Sequence, residues 1–193
     1  MTRRHVLRSD TEDREFMPRF RALLPRLDEK TGLRFVFSHT EDVSDDIEKQ
    51  VWAEAEKRGT LSVLDDLETQ TRWIEIVGES EAFERQLDDA LLLLLEIVPL
   101  RQLRGQARNK PSPATLKRMA WGAAGVADAE TMEIVIASLA STNVERVYGA
   151  AEAAAILGWR ELGPAVEAAA SVKRTSRVKR VLRAALAACS PKA

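Results

Sequence analysis

"TRWIEIV", residues 71–77, decides how this chain is read. Trp73, Ile74, Ile76 and Val77 fall within seven residues, and aromatic and β-branched side chains favour a pleated strand. "GLRFVF" (32–37) has the same character, with Phe35, Val36 and Phe37 following a glycine. We read both as strands. Were both helical instead, the chain would be all-α throughout, and that is the alternative reading.

Outward from these two, "VSDDIEKQVWAEAEKRG" (43–59) sets Ile47, Val51, Trp52 and Ala55 at helical spacing, which predicts an amphipathic helix. "TLSVLDDLETQ" (60–70) is read as a second, short helix. Ser80 reads as the N-cap of a long helix, "EAFERQLDDALLLLLEIV". With a helix ahead of the first strand, the order helix, strand, helix, helix, strand, helix predicts a small α/β or α+β unit.

The second half is different. Ser112 before Pro113 reads as an N-cap with proline at the first helical position, and Asp128 as the cap of the next helix. Thr142 with Glu145 reads as a capping box, Gly158 as a helix stop, Gly163–Pro164 as a start, and Thr175 or Ser176 as the last cap. Five short helices joined by short links predict antiparallel neighbours. A shift of 31 residues superposes Leu116, Val147 and Val178. It also superposes Met119, Ala150 and Val181, then Ala120, Ala151 and Leu182, then Ala123, Ala154 and Ala185. These positions share one helix face.

Composition divides the chain at the same place. Residues 41–100 hold 17 acidic and 5 basic residues, a balance of −12; residues 101–193 hold 7 acidic and 15 basic, a balance of +8. Five alanines lie before residue 101 and 23 after it. The expected boundary lies in "PLRQLRGQARNKPSP" (99–113), giving an acidic N-terminal region over 1–105 and helical repeats over 112–189.

"STNVERVYGAAEAAAILGWRELGPAVEAAA" (141–170) resembles a HEAT-like repeat of the short bacterial form also seen in bilin lyases. The resemblance lies in a Val-x-Arg start, an alanine-rich helix closing on Leu-Gly, and a Gly-Pro start to a second helix. It covers about residues 112–189, and it implies helical hairpins stacked on one another. In such a stack the alanines at 150–155 allow neighbouring helices to approach closely, and Ile156 is covered by the next repeat. The expected fold class is therefore mainly α: a short HEAT-like α-solenoid behind a small α/β or α+β N-terminal region.

Little in the chain carries chemistry. The two histidines, His5 and His39, have no metal-ligand spacing, and the single cysteine, Cys189, allows no internal disulfide. Asp45–Asp46, Asp65–Asp66 and Asp88–Asp89 are adjacent pairs, and neighbours on a helix point about 100° apart, which makes poor acid/base dyads. There is no phosphate loop, nucleophile elbow or zinc signature. We therefore expect no catalytic residue, no cofactor and no metal, and a chain that is not an enzyme. "VKRTSRVKRVLR" (172–183) carries six cations and no acid. Lys173, Arg174, Arg177, Lys179, Arg180 and Arg183 are the candidate partner-binding residues. A bacterial, cytoplasmic adaptor binding another protein is the expected function, with no membrane contact: the first 16 residues lack the apolar run of a signal peptide. The alternatives are a HEAT-type accessory enzyme or lyase, and a nucleic-acid-binding protein using the basic helix.

Overall fold

The computed structural model describes residues 2–123, 125 and 127–190. The chain forms two compact units, Met1–Val98 and Pro99–Ala193.

In the first unit the strands are β1 (Thr2–Val6), β2 (Phe35–Ser44), β3 (Ile47–Glu54), β4 (Gly59–Asp66) and β5 (Thr71–Gly78). They make one antiparallel sheet in the order β1-β5-β4-β3-β2. The helices α1 (Phe16–Thr31) and α2 (Glu81–Leu94) cover one of its faces. Phe16, Phe20, Leu23 and Leu27 from α1 and Phe83, Leu87 and Leu91 from α2 meet Phe35, Trp52, Leu61, Val63, Ile74 and Ile76 from the strands. Phe20 lies edge-on to Trp52, with ring centroids 5.0 Å apart, within the favoured range for aromatic pairs. Two facing glycines seat α2 on the sheet. Gly59 pairs with Gly78, and a Cβ on either would lie under 3 Å from the Phe83 ring. After α2 the chain returns beside its own start. Leu7 bridges Ile97, and the Val98 amide donates to the Val6 carbonyl at 2.8 Å.

The strands at 71–77 and from Phe35 are present. The two helices expected between them are not: residues 47–54 form β3 and residues 59–66 form β4. Val51 and Trp52 explain the error. Both are buried, and they are neighbours, so they fit a helical period. In the strand they point to opposite faces, and only Trp52 joins the core under the helices. Asp45–Asp46 forms the tight turn of the β2–β3 hairpin rather than a helix start.

The second unit is helical: α3 (Leu100–Asn109), α4 (Pro113–Gly122), α5 (Ala129–Leu139), α6 (Val144–Leu157), α7 (Gly163–Ser171) and α8 (Ser176–Cys189), with a 3₁₀ turn at Arg160–Leu162. The stretch expected to hold the boundary contains α3. Ser112, Asp128 and Thr175 cap as their positions suggest, accepting from the amides of Thr115, Thr131 and Val178. Gly158 ends α6 in the left-handed region at φ 60°. Thr142 does not cap. Asn143, one residue later, accepts from the Arg146 amide at 3.1 Å and sets the start of α6.

α6 lies between α4 and α8. Leu116, Met119, Ala120 and Ala123 of the α4 segment, Val147, Ala150, Ala151 and Ala154 of α6, and Val178, Leu182 and Ala185 of α8 are all buried. Val181 is half-buried. Small residues allow this sandwich. A Cβ at Gly149 would lie 2.4 Å from Pro113 Cα, and the Cys189 thiol donates to the Ala154 carbonyl at 3.6 Å.

The fold class is α+β. The expected mainly α solenoid and its all-α alternative are both overturned by the five-stranded antiparallel sheet of the first unit. No helix among the described residues is long and apolar enough to cross a membrane.

Candidate binding site

The six cations of 172–183 do not act as one group. Arg174 donates to the Ser141 carbonyl at 3.4 Å. Arg177 stacks 4.0 Å above the Tyr148 ring and lies 3.7 Å from the Glu145 carboxylate. Burial raises the Tyr148 pKa. These two arginines tie α8 and the segment before it to neighbouring elements of the same unit. Lys173, Lys179, Arg180 and Arg183 are exposed and make no ion pair among the described residues. Lys179 and Arg183, four residues apart, sit one turn from each other on α8, where side chains are near neighbours. The same rows continue into the exposed Ala184 and Ala187, so the cations give way to a strip of methyl groups.

The acidic region behaves in the opposite way. Its carboxylates are largely met inside the first unit. Arg72 holds Asp65 through two bonds of 2.6 and 2.9 Å, and Asp66 accepts from the Thr69 amide. Arg58 bonds the buried Glu54 and holds its carboxyl below the ordinary range. Arg4 donates to Glu75 at 2.8 Å, and Lys49 lies 3.6 Å from Glu75 and 3.1 Å from Glu41. Arg3 and His5 both reach Asp88. The strand β1 thus neutralises acids that lie some 70–85 residues away in sequence.

These contacts pair acids with cations inside the unit. Asp65 and Asp66 have separate partners, Asp45–Asp46 lies in a turn, and Asp88 is held by Arg3 and His5. Among the described residues no group of three or more His, Cys, Asp and Glu side chains could hold a metal ion. Burial pushes the Cys189 thiol up, which keeps it protonated. Trp159 is buried and donates to the Gly125 carbonyl at 3.1 Å.

The first unit also contains a cleft of about 600 Å³ that the sequence reading did not find. α1 forms one wall; the segment 7–13 and the end of α2 with Leu95 and Glu96 form the other. Leu7, Phe16, Phe20 and Leu23 make an apolar floor, and Arg8, Arg19 and Arg26 stand at the rim. Arg8 is paired with Glu96 and Arg19 with Asp13. Arg26 is exposed and has no ion pair among the described residues. The spacing of Phe16, Phe20, Leu23 and Leu27 signals the buried face of α1. Nothing in the sequence signals that residues 95–96 close the other side.

No family model, curated protein or solved structure matches the chain.

Proposed function

We propose that this chain is a non-catalytic binding module whose outer α8 surface docks an acidic protein. The observation that carries the reading is the set of four exposed cations, Lys179, Arg180 and Arg183 on α8 and Lys173 just before it, with no ion pair among the described residues. Cations that satisfy nothing within the fold leave a positive potential at the surface, which speeds encounter with a partner of opposite charge. The methyl strip of Ala184 and Ala187 beside them favours a protein surface over a phosphate backbone, because it offers flat apolar area for close packing. The second unit is read as a short stack of HEAT-like hairpins; the burial of the residues that recur every 31 positions supports this. A cytoplasmic location belongs to the same reading and fits a single buried thiol.

The test is affinity capture with the wild-type chain and with the triple variant Lys179→Glu, Arg180→Glu, Arg183→Glu, whose folding is checked by circular dichroism. The expected result is an acidic protein captured by the wild type, weakened by salt and lost in the variant. Capture that the variant retains overturns the reading. Capture abolished by nuclease, with affinity falling steeply and log-linearly in salt, replaces the protein by a nucleic acid.

A further inference from the structure

We propose that the cleft of the first unit binds an amphipathic organic anion, an apolar chain ending in a carboxylate, with its head group on Arg26. This site is independent of the α8 surface. Its volume of about 600 Å³ falls within the roughly 300–1,000 Å³ of small-molecule sites, which are lined mostly by apolar and aromatic groups with a few polar ones. Here the lining is divided, with apolar residues inside and six charged or polar residues among the thirteen that line it. Phe16, Phe20, Leu23 and Leu7 form the floor, and Leu94 and Leu95 face them from the other wall.

Charge selects the class of ligand. The three rim cations are arginines, whose planar guanidinium matches a carboxylate in two parallel bonds. Two of them are already matched within the unit, Arg8 by Glu96 and Arg19 by Asp13. Arg26 is left over. It lies one turn beyond Leu23 on the same face of α1, so a chain lying over Phe20 and Leu23 brings its terminal carboxylate to Arg26. Ser9, the remaining polar side chain of the wall, is bonded to Asp13. An apolar chain therefore meets hydrocarbon along its length and one free cation at its end. A neutral chain gains the first contact and not the second.

Dodecanoate and dodecanol, below their aggregation concentrations, are the probes for the full-length protein. Saturable binding of dodecanoate is expected, with amide shift changes confined to α1, residues 7–13 and residues 94–96 in ¹H–¹⁵N spectra. Ala22 is an exposed residue of the wall, so Ala22→Trp fills the cleft without touching the core. If the indole displaces two ligand methylenes, affinity falls about tenfold. Arg26→Gln should weaken dodecanoate by roughly 1.5–5-fold, the worth of an exposed ion pair, and leave dodecanol unchanged. The proposal is overturned if dodecanoate does not saturate or if the shifts map elsewhere. It is equally overturned if Arg26→Gln weakens both probes alike, or if a folded Ala22→Trp chain binds as tightly as the wild type. The wild-type spectra decide the site even if Ala22→Trp does not fold.

Discussion

The two units fill their interiors by opposite means. In the first, helices lie on a sheet, and layers packed on a sheet stand about 10 Å apart. Large side chains must bridge that gap, and Phe20, Trp52, Phe83 and Ile74 do so. In the second, helix packs on helix, and α6 is held from two sides by α4 and α8. There α6 contributes Ala150, Ala151, Ala153 and Ala154, each fully buried, and close approach of backbones takes the place of long side chains on this central helix. The units should therefore fail in opposite directions: the first when a side chain is shortened, the second when one is lengthened.

The largest effect is expected from shortening. Phe20 is 1% exposed and touches the rings of both Phe16 and Trp52. Phe20→Ala should cost about 3–5 kcal/mol, the lost transfer energy plus the cavity left behind. Urea denaturation followed by circular dichroism measures it. A cost no larger than that of a surface change would mean that aromatic bridging does not hold the first unit.

Lengthening comes next. Ala151→Leu adds methylenes where α6 meets its neighbours, and overpacking costs about 1–3 kcal/mol. Ala187→Leu, on the exposed side of α8, should stay within about 0.5 kcal/mol. Equal costs at both positions would remove the close-packed sandwich as the reason for the alanines.

The same contrast explains which parts of the molecule can be read from residues alone. Caps are local. Ser80, Ser112, Asp128, Thr175 and Gly158 each act on a backbone group three or four residues away, so a reader of the sequence finds them. The cap at Asn143 reads one position early because Thr142 beside it is also a capping type. Strand pairing is not local. β3 and β4 read as helices because neighbouring apolar residues such as Val51 and Trp52 imitate a helical stripe, and only their pairing, from Ile47 with Asp66 to Ala53 with Thr60, makes them strands. The same lack of locality hides the cleft, whose second wall is assembled from distant segments by the Leu7–Ile97 bridge. It also hides the neutralisation of the acidic segment, since Arg3 and Arg4 meet Asp88 and Glu75 only in the folded sheet. The cations of 172–183 were legible as a group, and their division into Arg174 and Arg177 on one side and four free residues on the other was not.

A smaller effect separates the units by pH. Arg58 holds the Glu54 carboxyl below its ordinary value of 4.5 in the folded state. A carboxyl whose folded pKa is depressed binds fewer protons in the native than in the unfolded chain. Its contribution is therefore fully present above the unfolded value and is lost as pH falls through the folded one. Acid titration of stability from pH 6 downward should show this loss in the wild type and a flatter curve in Glu54→Gln. If the two curves run parallel, the Arg58 pair does not contribute to the first unit.

The smallest effect on stability is expected at α8, and it sharpens the comparison of charges. In the first unit cations are spent on carboxylates: Arg4 on Glu75, Arg58 on Glu54, Arg72 on Asp65. On α8, Lys179, Arg180 and Arg183 touch no carboxylate among the described residues. A charge that pairs with nothing contributes little to folding, and three like charges within about one turn repel one another slightly. Replacing all three by glutamine should therefore leave the unfolding free energy within about 0.5 kcal/mol of the wild type, or raise it by a few tenths. Urea curves at low salt, where screening is weakest, measure the change. A loss of 2 kcal/mol or more, well beyond the roughly 0.5 kcal/mol of ordinary surface changes, would mean that these cations do hold the fold. α8 would then use its charges as the first unit does, and the surface proposed for a partner would already be in use.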